Sequence, residues 1–564
     1  MFMKEWDLDT TVRGLRSGFC PIVGCLVAET NIAHRRWLVL SCPRRRPHLG
    51  PFGQGETMGR WMRIAATLVA ACTAAGAAQA QSPAERTARY LETARGNPAL
   101  LEDFLARMPK GGDLHHHLTG AVYAESYIDY AAADSLCIEV PSIKIVAPPC
   151  DEAKGRWPAA RALTDFPFRN LVIDTWSIRN FHPSAEDRDV RLHFFAAFGK
   201  FDLVTNKHWG EMLAEVTHRA AAQHEIYLET MLTPDQGEAI QLGRKIGWND
   251  DFAVMRSRML AAGMAKVVAD GRRNLDEGER KMREVLACAG PHPDPGCAIT
   301  LRYLNQVLRA FPEEEVFAQM LAGFEIASAD PRVVGINLVQ SQDEYRALHD
   351  FELQLRMLDF LHRQYPRVHI TLHAGELTPG EVKPEELLAS HIRQSIETGH
   401  AERIGHGLDV IYERDAPGLL AEMAKQHILV EDCVYSHELV RGMTGPENVL
   451  PIYLRAGVPV AIATDDEGIV RSQLTWYFRR AVEGYDLDYI TLRRMVRDSL
   501  DHSFLPGASL WAAPETFTMA SSCAGEAIAA EPATAACKDF LAANERARLE
   551  WKEEVEFSRF EAQF

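Results

Sequence analysis

Eight candidate strands, separated by longer amphipathic stretches, constrain this chain more than any other feature of its sequence. The candidate strands cover residues 113–117, 225–232, 299–304, 333–338, 369–373, 403–406, 428–433 and 458–464. They are rich in Ile, Val and Leu, and helical segments separate them, which is typical of a parallel sheet. Eight such units predict an α/β fold in which the sheet closes into a (β/α)8 TIM barrel.

Segments outside this alternation predict additions to the barrel. The stretch at about 128–166 interrupts the pattern and predicts an insertion after the first strand. Residues 81–108 predict a helical N-terminal segment, with a helix over 84–108. The barrel is then expected to occupy residues 109–506, and residues 507–564 to form a mostly helical C-terminal extension.

Residues 58–80 have the pattern of a secretory signal peptide. A short basic head precedes an Ala-rich apolar run at 64–78, and Ala78-Gln79-Ala80 matches the small-x-small cleavage pattern. The run is shorter than the roughly 20 residues that a membrane span requires, so no span is expected. We interpret residues 1–57 as a spurious or disordered extension. Val69-Ala70-Ala71-Cys72 also resembles a lipobox, so a lipid anchor at Cys72 is the alternative.

The cysteines agree with export. Seven cysteines follow residue 80, and six of them form three local pairs separated by 13, 9 and 14 positions. The pairs are Cys137 with Cys150, Cys288 with Cys297, and Cys523 with Cys537. Such pairs can close as disulfides in an oxidising compartment, and the alternative is that they are unrelated free thiols. Cys433 lies in an apolar run and is expected to be a buried core thiol. We therefore expect a periplasmic or secreted location.

The charge of the chain argues against a nucleic-acid partner. The formal net charge is −17 at pH 7, whereas a phosphate-binding surface needs clustered Lys and Arg. An acidic balance says little about a small neutral substrate.

The strongest local motif is Asp113-Leu114-His115-His116-His117-Leu118, in the first predicted strand. Alternate side chains of an extended strand share a face, so His115 and His117 point one way and His116 points the other. Two adjacent imidazoles inside a barrel supply half of a zinc site, although three histidines alone are more often ordinary polar residues. Motifs further along the chain favour the metal site.

Three later motifs place polar groups at the ends of predicted strands. They are His373-Ala-Gly-Glu376, Arg403-Ile-Gly-His406-Gly407 and Ala463-Thr-Asp465-Asp466. In a barrel these ends meet at the carboxyl-terminal mouth, where active sites of this architecture are built. Each motif alone is also compatible with a helix cap or a surface turn. Together they offer metal ligands together with an acid, a base and a second carboxylate.

The order and spacing of these motifs resemble the adenosine/AMP deaminase family of metal-dependent hydrolases. The resemblance runs from about residue 109 to residue 506, and it includes Leu114-His-x-His117-Leu-x-Gly120 and the segment from Arg497 to Pro506. The exported context and the insertion also resemble the secreted, growth-factor-related branch. The resemblance implies zinc-dependent deamination of adenosine or a related 6-aminopurine nucleoside, with release of ammonia.

The resemblance also implies a role for each motif residue. One Zn²⁺ per chain would be bound by His115, His117, His373 and Asp465. Glu376 would donate a proton to purine N1, and His406 would position and deprotonate the attacking water at the metal. Asp466 would accept a hydrogen bond from the purine ring nitrogen side. A neighbouring carboxylate, Asp465 or Asp466, is expected to hold His406.

Four positions depart from the pattern of the family. The sequence has Thr119 where an acidic residue that contacts the ribose 5′ end is usual, Glu467 in place of Pro, and Leu450-Pro451 in place of His-Pro. Gly335-Ile-Asn337-Leu-Val-Gln340 replaces Gly-x-Asp-Leu-x-Gly, which affects the expected backbone contact to the purine at Gln340. None of these positions is a predicted metal ligand or the predicted acid. The departures therefore bear on the substrate rather than on the class of reaction.

Two other interpretations stay open. One is another barrel amidohydrolase that acts on a different aminopurine or a cyclic amide, although no Lys lies at a strand end to bridge two metals. The other is a non-catalytic extracellular growth-factor-like binding protein, although every predicted ligand is intact. A cytidine-type deaminase is excluded, because its His-x-Glu and Pro-Cys-x-x-Cys motifs are absent from the sequence.

Overall fold

The computed structural model describes residues 81–184, 189–383 and 385–564. The predicted extension at 1–57 and the predicted signal peptide at 58–80, with the Cys72 alternative, lie outside these residues. Among the helices of the described ranges, none combines the length and the apolar character that a membrane crossing requires.

The strands, in chain order, are β1 (Gly111–His117), β2 (Cys137–Glu139), β3 (Lys144–Val146), β4 (Arg156–Pro158), β5 (Glu225–Leu232), β6 (Thr300–Leu308), β7 (Val333–Val339), β8 (His369–Ala374), β9 (Arg403–His406), β10 (Leu429–Asp432), β11 (Val460–Ile462), β12 (Trp511–Ala513) and β13 (Thr518–Met519).

The helices, in chain order, are α1 (Pro83–Ala94), α2 (Pro98–Arg107), α3 (Leu118–Ala121), α4 (Ala124–Ala133), α5 (Phe166–Thr175), α6 (Val190–Thr205), α7 (Trp209–Ala222), α8 (Glu238–Ile246), α9 (Phe252–Met259), α10 (Ala265–Val285), α11 (Glu313–Ala329), α12 (Tyr345–His349), α13 (Phe351–Gln364), α14 (His391–Glu397), α15 (Ala416–Gln426), α16 (Val434–Arg441), α17 (Leu450–Ala456), α18 (Glu467–Val470), α19 (Leu474–Tyr485), α20 (Tyr489–Asp501), α21 (Ala535–Ala543) and α22 (Glu545–Glu561).

Eight parallel strands form the central sheet in the order β1-β5-β6-β7-β8-β9-β10-β11. Each of them overlaps one of the eight predicted strands, and helices connect successive strands. The last strand returns to the first through an isolated parallel bridge between His116 and Asp465. The predicted (β/α)8 barrel is confirmed.

Side chains of the barrel strands alternate between an outer apolar core and the barrel interior. In β8, Ile370 and Leu372 join the large apolar cluster that includes Leu358 of α13. Thr371 and His373 point the other way, to Glu431 of β10 and His115 of β1. This alternation follows from the two-residue period of a strand, and it places the predicted ligands inside the barrel.

The N-terminal segment forms two helices, where the sequence predicted one helix over 84–108. Gly96-Asn97-Pro98 separates α1 from α2. Asn97 caps α2, since its side-chain oxygen accepts a hydrogen bond from the backbone N–H of Ala99 at 3.1 Å. Pro98 then occupies the first helical position, which suits a residue without an N–H, and Gly96 disfavours continuation of α1.

The chain between β1 and β5 forms additional structure. Strands β2, β3 and β4 make a small antiparallel sheet in the order β3-β2-β4, next to a disulfide between Cys137 and Cys150. This sheet lies within the stretch at 128–166 that the sequence sets apart as an insertion. Helices α5 and α6 follow it, and α7 then leads into β5.

The C-terminal extension contains less helix than the sequence predicted. Strands β12 and β13 form a hairpin, and α21 and α22 supply the helical part. Several Pro and Gly residues between 506 and 532 account for the difference, because both residue types disfavour helix. Helix α22 docks at the start of β1, where the Glu553 carboxylate accepts a hydrogen bond from the backbone N–H of Gly111 at 3.1 Å.

We expect the three local cysteine pairs to be cross-linked in the protein, because each pair is joined by a disulfide in the structure and Cys433 is buried and free. Peptide mapping by mass spectrometry, without reduction, should recover three cross-linked peptide pairs from residues 81–564. Cys433 should react with an alkylating reagent only after unfolding. Alkylation of the six paired cysteines in the native, unreduced protein would contradict this assignment.

Candidate active site

The barrel closes at the residues that were predicted to bind metal. The backbone N–H of His117 donates to the carbonyl oxygen of Asp465 at 3.0 Å, and the N–H of Asp465 donates to that of His115 at 2.8 Å. Next to this seam, the Asp113 carboxylate accepts hydrogen bonds from the N–H and the hydroxyl of Thr464. Closure of the barrel therefore places the candidate ligands of β1 next to Asp465, which follows β11.

Four predicted ligands converge in the barrel interior. The Nε2 atom of His373 lies 3.1 Å from that of His115 and 3.2 Å from that of His117. The Asp465 carboxylate lies 3.5 Å from His117 Nε2 and 3.8 Å from His115 Nε2. All four ligand atoms lie within 4.8 Å of one another, and all four residues are buried.

This arrangement fits a tetrahedral divalent metal. Zinc binds imidazole nitrogen and carboxylate oxygen at about 2.0–2.2 Å, so its ligand atoms lie somewhat more than 3 Å apart. Three imidazoles and one carboxylate are a donor set that zinc takes in proteins. His115 also belongs to a second candidate group, with His406 and Cys433.

Neighbouring side chains orient the ligand imidazoles. The Nδ1 atom of His115 lies 2.7 Å from the Glu431 carboxylate, and that of His373 lies 2.9 Å from the amide oxygen of Asn337. Because each oxygen accepts a hydrogen bond from Nδ1–H, the Nε2 lone pair is left free for a metal. Asn337, one of the departures from the family pattern, therefore orients the imidazole of His373 through this hydrogen bond.

Glu376 follows β8 and is 7% exposed. Burial raises the pKa of its carboxyl above the usual value, and the Arg441 guanidinium opposes that shift. The Nη2 atom of Arg441 lies 2.7 Å from Glu376 Oε1, and Arg441 also pairs with Glu381 at 3.0 Å. Sequence reasoning missed Arg441, because it lies in an ordinary amphipathic helix, α16.

His406 ends β9, and its partner differs from the prediction. The sequence favoured Asp465 or Asp466, but the Nδ1 atom of His406 lies 3.0 Å from Nε2 of His437. The Asp465 carboxylate instead accepts a hydrogen bond from the Ser436 hydroxyl at 3.0 Å. Both His437 and Ser436 come from α16, where no motif singled them out.

Asp466 lies beside the metal ligands and lines the cavity. Burial raises the pKa of its carboxyl well above the usual value, and the neighbouring Asp465 adds to the shift. A Cβ on Gly120 would lie 1.5 Å from Asp466 Oδ1, so only glycine leaves room for this carboxylate. Glu467, which stands where the family has Pro, pairs with the buried Arg219 at 2.6 Å and is directed away from the cavity.

A cavity of about 310 Å³ opens onto these groups. Its lining includes the apolar side chains of Phe194, Phe195 and Phe198 of α6 together with the candidate catalytic groups. The lining residues are His117, Thr119, Phe194, Phe195, Phe198, Gln306, Leu308, Ala310, Val339, Gln340, Ser341, Glu344, His373, Glu376, His406, Asp465 and Asp466. Lys and Arg are absent from this set of described residues.

A larger cavity of about 560 Å³ lies near the amino-terminal ends of β8 and β9. Histidines line it, and His502 there contacts the backbone carbonyl oxygens of Asp498 and His427 at 2.9 and 3.1 Å. His502 lies at the carboxyl end of α20, where its imidazole contacts a backbone carbonyl oxygen of the last turn. None of the candidate metal ligands lines this cavity, so we place the chemistry at the smaller one.

Sequence comparisons identify related proteins. The family model described as adenosine deaminase matches residues 213–510, which is more than half of the chain. An adenine deaminase of Cupriavidus necator is 23% identical over 409 residues, covering 72% of this chain and 91% of that protein. A putative adenosine/adenine deaminase of Streptomyces virginiae is 29% identical over 191 residues, covering 34% of this chain and 51% of that protein.

Structure comparisons find solved structures of deaminases. An adenine deaminase of Arthrobacter aurescens matches with 17% identity and a TM-score of 0.44, covering 72% of this chain and 96% of that chain. The N6-mAMP deaminase of Arabidopsis matches with 19% identity and a TM-score of 0.45, covering 72% and 96%. His115 and His117 precede the range of the family model, so their place in the site rests on the geometry above.

We expect His117→Ala to lose bound zinc, because it removes one of the four converging ligand atoms. Zinc affinity should fall by more than the 10- to 100-fold typical of outer partners of a metal site. Metal analysis of protein dialysed against limiting zinc measures this. His116→Ala is the matched control, since His116 points to the other face and its Nδ1 bonds Thr230 at 2.8 Å. Equal zinc content in both variants would remove His117 from the ligand set.

We expect Arg441→Met to raise the pKa of Glu376, because the cation that favours the ionised carboxylate is removed while burial remains. Nuclear magnetic resonance titration of protein labelled at the glutamate carboxyl carbon measures the shift, with Glu376→Gln to assign the signal. Arg191→Met is the control, since Arg191 pairs with Glu381 at 3.3 Å rather than with Glu376. An unchanged or lower pKa in Arg441→Met would contradict the expectation.

Proposed function

This chain belongs to the adenosine deaminase family, and from that premise we propose that it hydrolyses adenosine or a related unphosphorylated 6-aminopurine nucleoside to the inosine-type product and ammonia, with one Zn²⁺ per chain. The chain is a hydrolase that acts on carbon–nitrogen bonds of cyclic amidines by deaminase-type hydrolytic deamination. The single observation that carries the finer proposal is the convergence of three imidazoles and one carboxylate beside Glu376 and His406.

The ligand set supports zinc as the resident metal. When bound, zinc lowers the pKa of water from about 15.7 to about 7 and so makes hydroxide available at neutral pH. His115, His117, His373 and Asp465 would hold it.

His406 and Glu376 supply the base and the acid. His406 lines the cavity and can accept the proton of the attacking water at Nε2. Addition of the water oxygen to C6 places charge on N1, and protonated Glu376 removes it by donating its proton there. The C6–N bond then breaks, and ammonia leaves with the proton that His406 took from water. The remaining hydroxyl proton passes to Glu376 as the C6=O bond forms, which restores the acid. Burial of Glu376 favours the protonated form that this step requires.

The cavity supports an uncharged substrate. Neither Lys nor Arg is among its described lining residues. A phosphate group there would lack the charge-assisted hydrogen bonds that these cations supply. Its volume of about 310 Å³ is at the low end for small-molecule sites, which suits a nucleoside or a free base. Phe194, Phe195 and Phe198 would cover the apolar face of the ring system.

We also propose that the protein is exported, to the periplasm or the medium. The support is the signal-like pattern at 58–80 and three disulfides within the part of the chain that the structure describes. Disulfides persist in oxidising compartments and are rare in reducing ones.

Ammonia release from a panel of 6-aminopurines tests the proposed function. Zinc-loaded protein should deaminate adenosine or deoxyadenosine at least about tenfold faster than AMP, since one unneutralised phosphate costs more than about 1.4 kcal/mol in such a cavity. Adenine belongs in the panel as the free base. A chelator should abolish turnover. Glu376→Gln should keep its zinc and lose a factor of about 10²–10⁴ in kcat, the range of general acid catalysis.

Three results would count against the proposal. No ammonia from any 6-aminopurine by zinc-loaded protein would leave a different amidohydrolase substrate or a non-catalytic binding role. Preference for AMP would show that the cavity accepts phosphate and would refute the substrate class. Substantial turnover by Glu376→Gln would show that another residue is the acid.

A further inference from the structure

A second histidine and a carboxylate lie behind His406, on the side away from the cavity. The Nδ1 atom of His406 is 3.0 Å from Nε2 of His437, and Nδ1 of His437 is 3.5 Å from Oδ1 of Asp432. The three residues are 1%, 1% and 0% exposed. Asp432 ends β10 and His437 lies one turn into α16, so β10 and α16 together support the end of β9.

The positions of the ring protons on His406 and His437 follow from the role of His406 as a base. A base needs an unprotonated Nε2, and a neutral imidazole carries one proton, so that proton belongs on Nδ1. Nδ1 then donates to Nε2 of His437, which must be an acceptor. The pKa of His437 falls to about 3, chiefly through burial, so this ring is neutral and its own proton is on Nδ1, facing Asp432.

We propose that His437 is a positioning residue for the deamination, which fixes the tautomer and the ring orientation of His406, with the Asp432 carboxylate behind it. The inference rests on the proposed function, because it assigns His406 the role of base. When His406 accepts the proton of water at Nε2, the hydrogen bond from its Nδ1 to His437 keeps the ring in place, and Oδ1 of Asp432 lies 3.5 Å from Nδ1 of His437. The proton then leaves from Nε2 with the departing amine, and no net proton is stored.

The rest of α16 supports a role of this kind. The same eight-residue helix directs Ser436 to the Asp465 carboxylate at 3.0 Å and Arg441 to the Glu376 carboxylate at 2.7 Å. One helix thus contacts the predicted metal carboxylate, the predicted base and the predicted acid. A residue there that served only for packing would not need an imidazole nitrogen on the nitrogen of His406.

Two substitutions at one position separate positioning from packing. His437→Leu removes the acceptor for Nδ1 of His406, whereas His437→Gln keeps an oxygen acceptor of similar reach. We expect zinc-loaded His437→Leu to lose about 10- to 100-fold in kcat with KM within about twofold of the wild type, as for outer partners of other catalytic sites. His437→Gln should recover most of that loss.

His208→Leu is the matched control. His208 is another buried histidine, and its Nε2 lies 3.2 Å from Asp134, outside the cavity lining. Its kcat should stay within about twofold of the wild type. A wild-type kcat in zinc-loaded His437→Leu, or an equal loss in the Leu and Gln variants, would overturn the inference. Loss of zinc from both His437 variants would also overturn it, since the role would then be in metal binding.

A measurement without turnover keeps this inference distinct from the proposed function. Nitrogen-15 spectra of histidine-labelled, zinc-loaded protein report which ring nitrogen carries the proton, and His406→Gln assigns the signal. We expect Nδ1–H for His406 in the wild type and a mixture with Nε2–H in His437→Leu. Failure of the wild type to deaminate any 6-aminopurine refutes the proposed function. An unchanged His406 tautomer in His437→Leu refutes the positioning role.

Discussion

The seam between β1 and β11 is the contact on which the site depends. Across it, the backbone N–H of His117 donates to the carbonyl oxygen of Asp465, and the N–H of Asp465 donates to the carbonyl oxygen of His115. The Asp113 carboxylate accepts hydrogen bonds from the N–H and the hydroxyl of Thr464. Closing the sheet pairs the two edges that would otherwise expose backbone donors and acceptors. Because the same residues carry the candidate metal ligands, the bonds that close the barrel also set the distances between those ligands.

A buried arginine beneath the site is paired with two buried carboxylates. Arg403, 1% exposed, lies 2.6 Å from both Glu229 and Glu431, and Glu431 in turn lies 2.7 Å from Nδ1 of His115. An unpaired buried ion costs several kcal/mol, so each member of this group depends on the others. The network thereby fixes the tautomer of His115 and leaves its Nε2 directed to the centre. Glu431 thus links the candidate metal ligand His115 to the buried Arg403.

Strained backbone marks the mouth of the barrel. Gln340, His406 and Asp465 have φ values of +83°, +69° and +63°, in the left-handed region that side chains other than glycine rarely adopt. Such conformations cost on the order of 1–3 kcal/mol each, and they persist where packing and hydrogen bonds hold them. Helix α16 provides part of that hold, through His437 on His406 and Ser436 on Asp465.

The sequence by itself determined the barrel and the candidate ligands and acid–base pair, because both follow from local rules. A two-residue period places alternate side chains inside a strand, and every strand end lies at one mouth. Local pattern did not predict the break between α1 and α2 or the hairpin of β12 and β13. Only the tertiary structure decided that His406 meets His437 rather than a carboxylate and that Glu376 meets Arg441. The physical reason is that these partners depend on how α16 is rotated and seated against β9, and the periodicity of an amphipathic helix does not encode that placement.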